Sequence, residues 1–193
     1  MLLQVITGTT REGRFSERVA AWVMDRLGQH GEFVVELVDL RDHPLGFFDG
    51  DPPAKTGRDY ADEAVARFGR VIERADGYVM LTAEYNHGYP AVLKNALDST
   101  FAEWRRKPVS FVGWGNTGGA RAIEQLRAVA VEFEMAPLRH AVHVLPDVMR
   151  AIFGSDHPED PAHFASLEPR LAMLADDLAW WMRALATARA ADG

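Results

Sequence analysis

Short apolar runs alternate with amphipathic stretches along this 193-residue chain. Each apolar run has the length of a β-strand, and successive runs begin roughly 30 residues apart, as in βαβ units whose strands are covered on both faces. The pattern predicts five strands, over residues 2–7, 33–40, 77–83, 109–113 and 138–145.

Between these strands, apolar residues recur at the three- and four-residue spacing of amphipathic helices. The first predicted helix closes at Gly28 or Gly31, and Pro90 stands in a favoured place directly before the third. The predicted helices cover residues 15–28, 60–75, 91–101, 120–133 and 167–185. Strands and helices that alternate in this order imply right-handed crossovers and a parallel sheet, so we predict one α/β domain over residues 1–193.

Two segments show neither the apolar runs of strands nor the spacing of amphipathic helices. Residues 41–58 contain three prolines and three glycines and are predicted to form a loop. Residues 146–161 are predicted to be irregular. Because this second segment is long for a connector, we expect it to reach the site of a neighbouring subunit.

Charge and composition narrow the classes of function. A net charge of −7 gives no support for binding to DNA or RNA. The apolar runs are too short to span a membrane, and residues 1–8 lack the basic leader of a signal peptide, so we expect a cytoplasmic protein. The chain has no cysteine, which excludes disulfides and thiolate metal ligands, and no metal site is predicted. Redox chemistry would therefore need a cofactor.

The loop after the first strand combines hydroxyls, arginines and glycines directly before a helix. Ligands of open parallel sheets bind beyond the carboxyl ends of the strands, and a helix N-terminus favours an anion. The loop lacks both the Walker pattern and the Gly-x-Gly-x-x-Gly pattern of dinucleotide sites. The alternative is a plain turn in which Ser16 caps the helix and the arginines are solvated. The candidate anion-binding residues are Thr9, Arg11, Arg14, Phe15 and Ser16.

The loop after the third strand is rich in aromatic and amide groups. Tyr85 and Tyr89 are predicted to pack on a flat ring, and the neighbouring backbone to contact its polar edge. His87 is a candidate general acid; the alternative is an ordinary hydrogen-bonding or solvated histidine. The candidate residues of this loop are Glu84, Tyr85, Asn86, His87 and Gly88.

The loop after the fourth strand has four glycines in the seven residues 113–119. Glycines let the backbone approach a ligand closely and direct N–H groups at it. The alternative is a flexible turn that caps the following helix. The candidate ligand-binding residues are Gly115, Asn116, Thr117, Gly118 and Gly119.

Three motifs in these loops together resemble the NADPH-dependent FMN reductases, a flavodoxin-like family that includes quinone, chromate and azo-dye reductases. The motifs are the Gly-Thr-Thr-Arg-Glu-Gly run at residues 8–13 with Ser16, the Glu-Tyr-Asn…Leu-Lys-Asn…Asp pattern at 84–98, and Gly-Gly-Ala-Arg-Ala…Leu-Arg at 118–127. Ala83 stands where the family has proline. The resemblance covers residues 1–145.

The resemblance implies a three-layer sandwich around a five-stranded parallel sheet of order 2-1-3-4-5. It implies that Thr9, Arg11, Ser16 and Phe15 hold the phosphate of FMN. It further implies that residues 84–88 line the edge of the isoalloxazine ring and that residues 115–119 cover its other polar end. Family members are commonly dimers or tetramers, so a homodimer or homotetramer is expected.

The implied activity is transfer of hydride from NADPH, or NADH, through FMN to a small-molecule acceptor such as a quinone, an azo compound, a metal ion or free flavin. Arg11 and Arg14 are the candidates for contact with the 2′-phosphate of NADPH. No protein side chain is expected to be catalytic, with His87 as the one alternative. A flavodoxin-type electron carrier and a flavin-free scaffold remain open. A receiver-like signalling domain is set aside, because it needs an acidic cluster after the first strand.

Overall fold

A computed structural model describes residues 1–53 and 57–191 of the chain. Its centre is a parallel sheet of five strands in the order β2-β1-β3-β4-β5. The predicted fold and strand order are therefore confirmed. The strands are β1 (Leu2–Thr7), β2 (Val34–Asp39), β3 (Gly77–Ala83), β4 (Pro108–Trp114) and β5 (Ala136–Val144).

Helices cover both faces of this sheet. No helix in residues 1–53 and 57–191 is long and apolar enough to cross a membrane. The helices are α1 (Ser16–Gly28), α2 (Glu63–Glu73), α3 (Ala91–Asp98), α4 (Ala120–Glu132), α5 (Pro146–Phe153), a 3₁₀ helix (Pro161–Leu167) and α6 (Glu168–Ala191).

Two apolar clusters, one on each face, hold the three layers together. Successive side chains of a strand point to opposite faces, so Val5 joins the cluster under α1, α5 and α6, while the next residue, Ile6, joins the cluster under α2, α3 and α4. Burial on both faces explains why the central strands are continuous apolar runs in the sequence.

The prediction for residues 146–161 is wrong in part, because Pro146–Phe153 forms α5. Proline is favoured in the first turn of a helix, and Asp147 adds a negative charge where the helix dipole favours one. Ile152 anchors α5 in the apolar core of its own chain. The predicted reach toward a neighbouring subunit stays a prediction.

Several helix boundaries also differ from prediction. Helix α2 begins at Glu63 because the Asp62 carboxylate accepts a hydrogen bond from the backbone of Ala64. Tyr60, predicted to lie in that helix, instead donates its hydroxyl to the Glu103 carboxylate. Helix α3 ends at Asp98 and does not reach residue 101. Residues 54–56 of the predicted loop lie outside the described residues.

A buried lysine lies at the amino end of β4, at the edge of the sheet opposite to the ligand loops. The side chain of Lys107 is almost fully buried. Its Nζ donates to the carbonyl of Glu73 at 2.8 Å and to the hydroxyl of Tyr78 at 3.1 Å. Burial lowers the pKa of Lys107 to about 8, because it disfavours the charged form.

We expect the free energy of unfolding to rise with pH from about 8 to 10.5, the ordinary pKa of lysine. In this window the unfolded chain still binds the proton that folded Lys107 has released, so raising the pH favours the folded state. The contribution is at most about 1.4 kcal/mol per pH unit. Urea unfolding over this pH range measures it. The extra rise should be absent from Lys107→Met, and equal slopes in the two proteins would contradict this account.

Candidate functional site

Three loops meet at the carboxyl edge of the sheet, after β1, β3 and β4. Arg11, in the first loop, donates from Nε to the hydroxyl of Tyr85 in the second at 3.3 Å. Glu84, also in the second loop, accepts a hydrogen bond of 2.9 Å from the hydroxyl of Thr117 in the third. The structure thus brings together the three segments that the sequence singled out, at the edge where ligands of such sheets bind.

The backbone of the loop after β1 presents a run of free donors. Among the described residues, no acceptor receives a hydrogen bond from the backbone N–H groups of residues 9–16. The carbonyls of Thr9, Thr10 and Arg11, by contrast, all accept hydrogen bonds from the guanidinium groups of Arg14 and Arg41. Arginines that hold the carbonyls leave the N–H groups for another partner, which is the polarity of an anion site.

Arg14 is a buried support for this loop. Its guanidinium pairs with both oxygens of the Asp39 carboxylate and donates to the carbonyl of Thr9. Burial raises the pKa of Asp39, but hydrogen bonds from Arg14 and from the backbone of Arg41 outweigh it, so the pKa lies below its ordinary value. Arg14 therefore fixes the loop to the end of β2.

Two hydroxyls lie beneath the loop. Thr9 donates to Ser16 at 2.8 Å, and both side chains are buried. Ser16 is the first residue of α1, and the N-cap position belongs to Phe15, whose ring packs against Trp114 and Phe164. The alternative in which Ser16 caps the helix is therefore wrong. The ring of Phe15 anchors the helix start in the core.

Arg11 differs from Arg14 because it is exposed. Among the described residues, its guanidinium donates, apart from its bond to Tyr85, only to the carbonyl of Glu12, at 3.5 Å. No described carboxylate pairs with it. Arg11 is therefore the arginine of this loop whose charge is available to a ligand.

The loop after β3 contains a tight turn in an unusual conformation. Tyr85 and Gly88 exchange two backbone hydrogen bonds, of 2.8 and 3.0 Å. The central residues, Asn86 and His87, have φ values of +50° and +70°, as in a type I′ turn. Asparagine and histidine are both among the non-glycine residues that adopt this left-handed region most often. Gln125 on α4 holds the turn by donating to the carbonyl of His87 at 2.9 Å.

Side chains of this turn are exposed to solvent. The imidazole of His87 has no described hydrogen-bond partner, and its neighbour Asn86 is exposed as well. The backbone N–H groups of both residues also lack a described acceptor. The turn therefore offers donors from its backbone, while no described residue orients the imidazole of His87.

Glu84 joins the loops after β3 and β4. One carboxylate oxygen accepts from the guanidinium of Arg121 at 2.6 Å, and the other accepts from Thr117 and from the backbone of Arg121. The side chain is only 5% exposed. Burial raises the pKa of Glu84, but these hydrogen bonds outweigh it, so the pKa is lower than usual. Glu84 thus acts as an ionised support between two loops.

Free donors also line the loop after β4. Gly115, Asn116, Thr117 and Gly119 have backbone N–H groups without an acceptor among residues 1–53 and 57–191. Glycine at 119 has a structural reason: its φ is +74°, and an added Cβ would lie 2.8 Å from Gly113 Cα. The N–H groups and the close backbone packing together make a narrow, donor-rich rim.

Sequence reasoning missed two residues of the site, Asp39 and Arg41. Arg41 binds the carbonyls of Thr10 and Arg11 and also pairs with Glu17 at 2.8 Å. Both could have been found from the sequence, because Asp39 ends β2 and Arg41 follows it, and β2 pairs with β1 so that their carboxyl ends share one edge of the sheet.

The hydrogen-bond donors of the three loops match the acceptor groups of FMN. The free N–H groups of residues 9–16, with Arg11, suit a phosphate dianion. The donors after β3 and β4 suit the carbonyl oxygens and nitrogens along the edge of a flavin ring. Tyr85 is 40% exposed and offers an aromatic surface beside them.

Comparison with known proteins identifies the family. Residues 1–148 match the family model for NADPH-dependent FMN reductase. An NAD(P)H-dependent FMN reductase from Schizosaccharomyces pombe is 39% identical over 141 residues, which are 72% of this chain and 70% of the relative. Another from Saccharomyces cerevisiae is 33% identical over 139 residues, or 67% and 73% of the two chains.

More distant relatives include a Bacillus protein named NADPH azoreductase and a Burkholderia protein named 2-hydroxy-1,4-benzoquinone reductase. In structure, the flavoenzyme NAD(P)H:(acceptor) oxidoreductase FerB from Paracoccus denitrificans superimposes with a TM-score of 0.68 at 21% identity, covering 94% of this chain and 97% of that one. That likeness concerns the fold. Together with the matched family model and the yeast relatives, the three motifs show that the chain belongs to the NADPH-dependent FMN reductase family.

Proposed function

We propose that this chain oxidises NADPH or NADH and reduces a small acceptor, with FMN bound at the three loops. That the chain is an NAD(P)H-driven flavin oxidoreductase follows from the family to which it belongs. When bound, FMN supplies the redox chemistry, taking a hydride from the nicotinamide and passing electrons to the acceptor. The protein's own contribution is binding, orientation and electrostatic stabilisation.

The observation that carries the proposal is the run of free N–H groups over residues 9–16, beside the unpaired guanidinium of Arg11. We assign the phosphate of FMN to these donors and to the hydroxyl of Thr9 or Ser16. Arg14 is assigned a positioning role, because Asp39 and the carbonyl of Thr9 occupy its guanidinium.

The remaining candidate residues are assigned to the ring. Backbone donors at 86–87, 115–117 and 119 would stabilise negative charge along its polar edge, without any need for a catalytic side chain. Glu84 holds the two loops in register through Arg121, and Tyr85 packs beside the ring. His87 is assigned no proton-transfer role, because its imidazole has no described partner that would orient it.

For the acceptor we propose a quinone, azo compound, metal ion or free flavin. Quinone and azo compounds are supported by the names of the Burkholderia and Bacillus relatives. The test is NADPH and NADH oxidation by the FMN-loaded protein with a panel of acceptors. Steady turnover without a helper protein supports an enzyme. Turnover only with a partner flavoprotein would favour the alternative, a flavodoxin-type carrier, and failure to take up FMN would overturn the proposal.

We also propose that residues 1–193 act as one domain in a cytoplasmic homodimer or homotetramer. Helix α6 lies beyond the matched residues 1–148 yet packs on β4 and β5, and its buried Leu171 and Leu174 belong to the apolar core. Trp180 is 57% exposed and Phe47 85% exposed, which supports burial in an assembly. Light scattering during size-exclusion chromatography tests the assembly, and a monomer would contradict it.

We expect Arg11→Gln to weaken FMN binding about tenfold or more, the usual effect of losing a hydrogen bond from a charged donor. Riboflavin has no phosphate, so its binding should stay unchanged. Quenching of flavin fluorescence measures both affinities. Arg70→Gln removes the same charge from the exposed face of α2 and should change neither. Equal losses for FMN and riboflavin would contradict the assignment of Arg11 to the phosphate.

A further inference from the structure

A second polar cleft lies along the outer edge of β5, lined by residues other than those of the three loops. Its volume is about 480 Å³. One wall comes from β5 and the other from the end of the 3₁₀ helix and the start of α6. The polar residues that line it are Arg139, His140, His143, Ser166 and Arg170.

The two arginines of this cleft form no ion pair with any described residue. Neither the guanidinium of Arg139 nor that of Arg170 contacts a carboxylate or carbonyl in residues 1–53 and 57–191. Other arginines nearby are engaged: Arg127 donates to the carbonyls of Leu138 and of Arg139. In a chain with 28 acidic and 21 basic residues, two unpaired arginines that line one cleft are conspicuous.

The histidines complete the lining. His143 Nδ1 lies 3.0 Å from the carbonyl of Gly118, so that nitrogen carries the hydrogen and the ring is fixed against the loop after β4. His140 Nε2 lies 3.5 Å from a carboxylate oxygen of Asp177. Among the described residues, Asp177 is the one carboxylate that pairs with this lining, so the two arginines leave the cleft net positive.

We propose that this cleft binds the phosphate group of a small phosphorylated molecule. Two guanidinium groups supply paired donors that match phosphate geometry, and the Ser166 hydroxyl adds a neutral donor. The volume suits a phosphate with an attached sugar or a second phosphate. The source is either a nucleotide or free inorganic phosphate. His143 links the cleft to Gly118, so a nucleotide bound here would lie beside the loop after β4.

Calorimetric titration of the FMN-loaded protein with pyrophosphate and with adenosine 2′,5′-bisphosphate tests the proposal. FMN fills the phosphate site after β1, and the variants described below separate binding at the second cleft from binding of the bisphosphate where NADPH would bind. We expect binding that weakens as salt is added. Tighter binding of the bisphosphate indicates a nucleotide, and tighter binding of pyrophosphate indicates an inorganic ligand. Absence of heat with both probes overturns the proposal.

Variants locate the bound probe. Arg139→Gln and Arg170→Gln should each weaken binding about tenfold, as expected for the loss of a hydrogen bond between charged groups. Both residues are exposed, so the fold should survive, and thermal unfolding checks it. Arg70→Gln is the matched control and should bind as the wild type does. Wild-type affinity in both cleft variants would overturn the proposal.

Arg11→Gln separates this proposal from that for the flavin site. If the probes bind in the second cleft, Arg11→Gln leaves their affinity unchanged even when FMN affinity falls. Loss of probe binding in Arg11→Gln, with wild-type binding in Arg139→Gln, would place the probes at the loop after β1 and overturn the second cleft. The flavin assignment would then stand unaffected.

Discussion

Arg14→Met should lower both the stability of the protein and its affinity for FMN. The substitution leaves the Asp39 carboxylate without its guanidinium partner and the carbonyl of Thr9 without its donor. Removing one partner of a buried ion pair costs about 3–5 kcal/mol. Since the side chain of Asp39 is 17% exposed, we expect the lower end, about 3 kcal/mol. Urea unfolding measures the stability, and flavin fluorescence the affinity.

The loss of unfolding free energy at low pH gives a second test of the Arg14–Asp39 pair. The folded pKa of Asp39 lies below its ordinary value. Its ionised form therefore stabilises the wild-type protein above the ordinary pKa, and this stabilisation is lost as pH falls through the lower, folded pKa. In Arg14→Met the main hydrogen bonds that lower this pKa are gone. The variant should therefore lose less stability on acidification than the wild-type protein does.

A double variant, Arg14→Met with Asp39→Leu, separates the two roles of Arg14. Replacing both members of a buried pair by apolar residues is often neutral for stability, so the double variant should regain most of the lost free energy. It should not regain FMN affinity, because the carbonyl of Thr9 still lacks its donor. Recovery of both properties together would show that Arg14 acts only through global stability.

The sheet could be predicted from the sequence because its central strands are buried on both faces. The strands β1 and β3 begin and end where the apolar runs do. Prediction started β5 at residue 138, whereas the strand begins at Ala136 and contains Pro137. Proline is tolerated in an edge strand, where one side of the backbone makes no ladder hydrogen bonds. The composition of a segment does not reveal whether it lies at an edge.

The loops of the site were found from the sequence, but the directions of their charged side chains were not. Arg11 and Arg14 look alike as members of one loop. Their difference arises from Asp39, which is distant in sequence and placed beside Arg14 by the pairing of β1 with β2. Likewise Glu84 looks like a ligand contact until the fold places Arg121 next to it. Local motifs indicate the candidate site, and long-range pairing shows which of its charged side chains are already held by other residues.

Gly119→Ala should be among the most damaging single substitutions in the site. Its φ of +74° disfavours any side chain, and the new Cβ would lie 2.8 Å from both Gly113 Cα and Trp114 N. The left-handed conformation costs about 1–2 kcal/mol and the overpacking about 1–3 kcal/mol more. Because the obstructing atoms are backbone, relief requires movement of the loop after β4, where the donors assigned to the flavin ring lie.

Gly31→Ala provides the matched control, since Gly31 has a φ of +81° and nothing within 4 Å of an added Cβ. It isolates the conformational cost and should lower stability by only about 1 kcal/mol without changing FMN affinity. Gly119→Ala should lose about 3 kcal/mol and bind both FMN and riboflavin more weakly, because the displaced donors face the ring rather than the phosphate. Equal stability losses in the two variants would show that close packing at Gly119 is unimportant. An unchanged affinity for riboflavin would show that the flavin ring does not bind beside this loop.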